Sequence, residues 1–311
     1  MTTTATVSVR ERTRAKSRVL LEALPYIREH FGRVVVLKLG GSAMEDPELA
    51  ERFAQDVGLL RTVGIRPVVI HGGGPQVSAL SERLGLPTEF REGFRVTDAQ
   101  TLRVAKMVLV GEINTHVVSA LNRAGTPAVG LSGDDGNLLL ATKFEPGGDD
   151  LGFVGEVAHV NTGLLDHLMG VAVPVIATIA TDGRGQSYNV NADPAAAAVA
   201  VALRAAKLVM LTDVPGLLVD GELVAEISVS EAERLLEAGT AEGGMAPKLR
   251  AAADAVRGGV HRSHIVDGRI AHSVVLELFT PEGIGTMVCP DEPGDALGAV
   301  TRGAGQEGGG G

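Results

Sequence analysis

The chain has 311 residues, 45% of them hydrophobic and 3% aromatic, with no Trp, and its formal net charge is −10. That length can bury a sizeable core as one α/β domain or two lobes, and a core of Val, Leu, Ile and Ala suits parallel strands covered by helices. A single cysteine, Cys289, excludes an internal disulfide and a cysteine-based metal site; the apolar runs are too short to cross a bilayer and Met1 to Arg10 lacks a signal-peptide core, so a cytoplasmic enzyme with no membrane partner is expected.

Residues 1–33 carry seven Lys/Arg against three Glu, which leaves −14 in the remainder. A basic arm raises nucleic acid as a partner, but this one lacks interleaved aromatics and precedes an acidic body, so none is expected. Residues 1–14 read as disordered. From Ala15, Val19, Leu20, Ala23, Leu24 and Ile27 recur at helical spacing, predicting an amphipathic helix whose apolar stripe packs on its own subunit or on a neighbour.

Val34 to Leu39 reads as a buried strand ended by Gly40 and Gly41. Lys38 near its end is either an edge-strand lysine in solvent or a buried cation met by an anion. Asp46-Pro47 starts a helix, as cap and first-turn proline, with Leu49, Phe53, Val57 and Leu60 on one face and Gly64 at its end. Pro67 to Ile70 repeats the strand-then-glycine design through His71-Gly72-Gly73-Gly74, and these glycines open a helix running to Leu84. Helix N–H groups and the positive helix end then face one spot, an anion site.

Phe90 to Asp98 reads as a hairpin or loop leading into a long helix capped by Asp98 and closed by Gly125. Ala128 to Leu131 reads as a further buried strand, residues 137–160 as hairpins outside the parallel core, and Val171 to Ile179 as one strand. Asp193 is expected to cap an alanine-rich helix with Pro194 in its first position. Lys207 to Thr212 is a strand ending at Asp213; Ser228 to Ala238 is a helix; and Gly243-Gly244-Met245-Ala246-Pro247-Lys248 opens another. The last strands fall near His264–Val266 and Thr286–Cys289, and a Gly-rich tail follows Arg302. Alternating strands and helices predict a three-layer α/β/α fold with an open, mainly parallel sheet, with ligands at the strands' carboxyl ends.

No G-x-x-x-x-G-K-[ST] is present, and no G-x-G-x-x-G follows the first strand. His71-Gly72-Gly73-Gly74 is like an esterase oxyanion loop, but no G-x-S-x-G elbow accompanies it. His261 and His264 lack an acidic partner at metal spacing, so no protein-bound metal is expected. Two lysines, an Asp at a helix start and three glycine turns, all at strand ends, suit phosphoryl transfer between two anions.

VVVLKLGGSAM, VVIHGGGPQV, GFRVTD, YNVNAD, LTDVPGLL and GGMAPK, in this order, resemble the amino acid kinase family. More closely, the chain resembles the branch that phosphorylates N-acetyl-L-glutamate and is inhibited by arginine, over roughly residues 17–290. The resemblance implies an arm with an oligomerisation helix (1–31), an acyl-amino-acid lobe (32–204), a nucleotide lobe (205–296) and a flexible tail (297–311). It also implies ATP with Mg²⁺ carried by the nucleotide. By the same resemblance Lys38 and Lys248 stabilise the transferring phosphoryl group and Asp193 holds both. Gly73, Gly74, Arg95 and Asn189 bind acetylglutamate, and Gly40, Gly41 and Asp213 face the nucleotide.

The sequence departs from the pattern at Ser42, where Asn is frequent, and at Asp134, where a basic residue is. Tyr26, His264, Glu277 and Gly283 match the arginine site, and the N-terminal helix matches one that joins dimers into a hexamer, a trimer of dimers. A non-catalytic amino-acid sensor on the same fold, and a kinase of glutamate itself, are the competing readings.

Overall fold

The computed structural model describes residues 9–40, 46–91, 93–241, 244–281 and 283–291. Helix α1 (Val9–His30) begins well before Ala15, leaves Leu20 and Leu21 73% and 66% exposed, and turns Ala23, Tyr26 and Ile27 toward the core. Strand β1 (Val34–Leu39) is buried throughout after its first residue. The Asp46 side chain accepts from Glu48 N at 2.8 Å and so caps α2 (Pro47–Thr62), which buries Phe53, Ala54, Val57 and Leu60. β2 (Arg66–His71) leads through the glycines into α3 (Gly74–Arg83), and β3 (Phe90–Arg91) pairs with β4 (Phe94–Arg95).

α4 (Ala99–Lys106), capped by Asp98, passes through a π-helical stretch at Met107–Ile113 into α5 (Asn114–Arg123). This continuous helix is long and apolar enough to cross a membrane by length and composition, contrary to the expectation from apolar runs. Half of it is buried in the fold, where Val104, Val108, Leu109, Val117 and Leu121 join the core. β5 (Ala128–Ser132) follows, then β6 (Leu139–Lys143), β7 (Val154–Val160), α6 (Gly163–Leu168), β8 (Val173–Ala177), β9 (Ile179–Thr181) and β10 (Ser187–Val190). α7 (Ala192–Ala202), β11 (Lys207–Thr212), the β12 (Leu218–Val219) and β13 (Glu222–Leu223) hairpin and β14 (Glu226–Ser228) come next. The chain closes with α8 (Val229–Glu237), α9 (Met245–Arg257), β15 (Arg262–Asp267), α10 (Ser273–Phe279) and β16 (Thr286–Cys289).

One sheet of order β14-β16-β15-β11-β1-β2-β8-β5 forms the middle layer. It is parallel from β15 to β5, and β16 is antiparallel to β15. Successive side chains point to opposite faces, so Val36, Val68, Leu208 and Met210 pack with α7 and α9, while Val35, Leu37, Val69 and Val209 pack with α2, α4, α5 and α10. This is the expected three-layer α/β/α fold.

Of the four strands of a closed barrel outside the main sheet, β10-β7-β6-β9, two (β6 and β7) come from residues 137–160, expected as hairpins, and β9 and β10 were not foreseen there. Two expectations are corrected here. The predicted strand 171–179 is two strands in different sheets, β8 and β9. β5 is an edge strand rather than a buried one, with Val129 and Gly130 exposed.

Candidate active site

Lys38 is the fifth residue of β1, which lies between β11 and β2, so it is not an edge lysine. It is 7% exposed, and its Nζ lies 2.6 Å from Asp193 Oδ1. A lysine there needs an opposite charge, because an unpaired buried ion is costly.

Asp193 reaches this position by not capping its helix, as had been expected. Asn191 is the cap, its Oδ1 accepting from Asp193 N at 3.0 Å. Asp193 therefore sits in the first turn with its carboxylate free for side-chain partners. Its Oδ2 lies 3.7 Å from Lys248 Nζ, a looser ion pair. Lys248, in the first turn of α9, also donates to Gly244 O at 3.0 Å. One buried carboxylate thus stands between two ammonium groups from different elements.

The glycine turn after β2 faces Lys38 across a cleft of about 240 Å³, lined by Gly72, Gly73, Gly74, Arg95, Asn189 and Lys38 among others. The first N–H groups of α3 have no partner inside the helix. A Cβ on Gly73 would meet the side-chain ends of Ile113 and Leu109, which would have to shift to admit it.

Arg95 Nη2 donates to Gly74 O at 2.9 Å and to Ser78 Oγ at 2.6 Å. Its Nη1 is buried without a partner, and the guanidinium lies 4.7 Å from the Phe90 ring centroid. Burial lowers the Arg95 pKa, yet a guanidinium stays charged. Asn189, on β10, donates from Nδ2 to Thr97 Oγ1 at 3.4 Å.

Gly40 ends β1 so near β11 that a Cβ would lie 3.0 Å from Leu211 O. Asp213 follows β11, exposed, and accepts from Thr212 Oγ1 at 3.2 Å; it does not line the cleft. Gly41 and Ser42 lie outside the described residues. Asp134 is held between α4 and β10, accepting from Lys106 Nζ and Ser187 Oγ, each at 2.9 Å. Among the described residues no group of three or more His, Cys, Asp or Glu could hold a metal ion.

The other predicted cluster lies where α1, β15 and α10 meet. His264 Nδ1 lies 2.6 Å from Glu277 Oε1, and Glu277 Oε2 accepts from Ile284 N and Gly285 N at 2.7 and 3.2 Å. Burial raises the Glu277 pKa, but the hydrogen bonds from His264 and the backbone outweigh it and leave it below the usual range. Burial lowers the His264 pKa, so a neutral ring donating from Nδ1 leaves Nε2 as a buried acceptor without a partner. Gly283 has φ 61, and a Cβ there would stand 3.0 Å from Glu277 Oε2. Tyr26 is half-buried against the same face.

Sequence reasoning missed two members of this cluster. Lys207, the first residue of β11, is buried, and burial lowers its pKa to about 8. It forms no ion pair among the described residues. His30, near the end of α1, has both ring nitrogens buried without a partner, and burial, then Lys207, push its pKa down to about 4. A lysine opening an otherwise apolar strand was the available signal.

The sequence matches the amino acid kinase family over residues 33–267. It is 48% identical over 278 residues to the acetylglutamate kinase of Syntrophomonas wolfei, covering 88% of this chain and 96% of that protein. Among solved structures, N-acetylglutamate synthase from Neisseria gonorrhoeae complexed with coenzyme A and N-acetyl-glutamate superposes with a TM-score of 0.81 at 31% identity. The match covers 89% of this chain and 64% of the synthase chain, so this chain spans under two thirds of that protein's length. The same synthase complexed with coenzyme A and L-arginine gives a TM-score of 0.77 at 30% identity, over 88% of this chain and 65% of the synthase.

Proposed function

The chain belongs to the amino acid kinase family, and from that premise we propose that it transfers the γ-phosphoryl group of ATP to the side-chain carboxylate of N-acetyl-L-glutamate, as a cytoplasmic enzyme of arginine biosynthesis inhibited by L-arginine. The carrying observation is the Lys38–Asp193–Lys248 unit beside a glycine turn, with Arg95 in the same cleft.

In this reading a carboxylate oxygen of the substrate attacks the γ-phosphorus while the bond to the β-bridging oxygen breaks, giving an acyl phosphate and ADP. Lys38 and Lys248 meet the charge that develops on the oxygens between the two anions, and Asp193 keeps both in place. Mg²⁺ would be carried by the nucleotide's phosphates and would help to neutralise their charge.

Residues 32–204 would hold the acyl amino acid, with the Arg95 fork on its α-carboxylate and Asn189 on the acetamide. Residues 205–296 would hold the nucleotide, with Gly40, Gly41 and Asp213 on its side. A free α-ammonium beside Arg95 and the α3 N-terminus would be repelled, so glutamate should be a poor substrate. A non-catalytic sensor has no use for two lysines held on one buried carboxylate.

The arginine reading rests on charge. A zwitterionic ligand with a second cation could place its carboxylate at Lys207, which has no ion-pair partner among the described residues, and a cationic group at Glu277 and His264 Nε2. The hexamer reading rests on the exposed Leu20 and Leu21 of α1 and on the unpaired edge of β5, since edges of this kind are usually covered.

The test is hydroxamate formation with ATP and Mg²⁺ across N-acetyl-L-glutamate, glutamate, aspartate and carbamate, for the wild type and Lys38→Ala. We expect turnover of N-acetyl-L-glutamate far above the others, and a kcat loss of roughly 10²–10³-fold in the variant. Equal turnover of glutamate would refute the specificity, and near-normal kcat in Lys38→Ala would refute the role of the lysine.

A further inference from the structure

Behind the glycine turn sits a polar pair that the proposed reaction does not touch. His71 closes β2 and is 0% exposed. Its Nε2 lies 3.0 Å from Asn114 Nδ2, and its Nδ1 lies 3.0 Å from Gly72 O. Asn114, also buried, is the first residue after the π-helical stretch, and its Nδ2 donates to Val175 O of β8 at 2.9 Å.

These contacts determine where the protons are. The bond to the Val175 carbonyl requires the nitrogen end of the Asn114 amide to face this way, and an amide nitrogen only donates. His71 Nε2 must then accept. Burial pushes the ring's pKa down to about 4, so at neutral pH it carries one proton. That proton is on Nδ1, and it is donated to the Gly72 carbonyl.

The consequence lies across the next peptide bond. No cis peptide occurs among the described residues, and in a trans peptide the C=O and the following N–H point in opposite directions. A Gly72 carbonyl drawn back to His71 therefore aims the Gly73 N–H away from His71, toward the cleft that Gly73 lines with Lys38. The other polar group of Gly72 is held too, its N–H donating to Leu39 O at 3.3 Å. The side chains of Leu109 and Ile113, presented by the π-helical stretch, occupy the space a Cβ on Gly73 would need, and such stretches often mark functional positions.

We propose that the Asn114–His71 pair is a positioning device that holds the Gly73 N–H as a preorganised donor to the phosphoryl oxygen on which charge develops, an inference that rests on the kinase reading above. His71 acts through the Gly72 carbonyl and touches no substrate.

The test compares wild type, His71→Asn and His71→Leu by kcat, by KM for both substrates and by thermal melting. Alongside them, the ¹⁵N-imidazole spectrum of the wild type is recorded, with the His71 signal assigned by its loss in His71→Asn. Asparagine places an amide N–H near the position of Nδ1–H, and leucine places none. We expect His71→Leu to lose about 10–100-fold in kcat with KM values within about twofold, and His71→Asn to stay within about fivefold of wild type, since removing a preorganised donor acts on the transition state.

The spectrum should show a neutral ring protonated on Nδ1 at pH 7. Wild-type kcat in His71→Leu, equal losses in both variants, or a proton on Nε2 would each overturn the proposal. The spectrum alone decides if His71→Leu does not fold. A wild type with the Nδ1–H ring that cannot phosphorylate N-acetylglutamate is the separate result that overturns the kinase reading and the donor role with it.

Discussion

Arg95 has one arm engaged and one idle. Nη2 is tied to Gly74 O and Ser78 Oγ, while Nη1 is buried without a partner. A buried guanidinium N–H in that state costs free energy until an acceptor arrives, and a carboxylate fits the fork. Arg95→Lys keeps the charge but loses the planar fork. We expect KM for N-acetyl-L-glutamate to rise roughly 10–100-fold, in line with a charged hydrogen bond of about 1.5–3 kcal/mol, with kcat changed by only a few-fold. Steady-state rates at saturating ATP read this out; a fall in kcat at constant KM would place Arg95 on the transition state instead. Residues such as Lys38 and Arg95 were legible because each sits in a local pattern, a strand end or a turn. Lys207 and His30 were not, because their significance comes from neighbours on α10 and β15 that no window of sequence contains.

Between Asn191 and Asp193 two acidic-or-amide residues divide the work of one helix start. Asn191 satisfies the helix N–H, so Asp193 can turn to the lysines. Asn191→Ala should lower stability by about 1 kcal/mol, the ordinary cost of a lost cap. It should also lower kcat, because Asp193 becomes the nearest replacement cap. Chemical denaturation together with kcat measures both, and a stability loss with unchanged kcat would separate the cap from the site. The helix itself was readable, since Asp-Pro marks a start; which residue caps it was not, because both Asn and Asp cap well.

Helix α10 was missed for a different reason. Ser273-Val274-Val275-Leu276-Glu277-Leu278-Phe279 is short and β-rich, and its first residue's predecessor, His272, is left-handed. The helix N–H groups of Val274 and Val275 are met by Asp56 of α2, which also bonds His272 at 2.7 Å, so its cap is tertiary. The central strands were legible as apolar runs ending in glycine. The division of 171–179 into β8 and β9 was not, because both pieces are apolar and only the barrel distinguishes them.

At the scale of the molecule, α1 carries exposed leucines on one side and packs on α10, the helix of Glu277, on the other. If the proposed hexamer and its inhibition by L-arginine hold, removing residues 1–31 should leave dimers with weakened inhibition and retained turnover, because a ligand acts only through its different affinity for two arrangements. Mass in solution and inhibition curves decide it; a truncated hexamer that is still fully inhibited would rule it out. The seam between β1 and β11 says how such a signal could travel. The strands are joined in parallel from Val35↔Lys207 to Lys38↔Met210. Lys207 of one cluster and Lys38 of the other thus lie at the two ends of one ribbon, about 10 Å apart along the strands at some 3.3 Å per residue. On the proposed regulation, a ligand bound at the Lys207 end would reach Lys38 through the twist of that ribbon, as load on one end of a torsion spring resets the angle at the other.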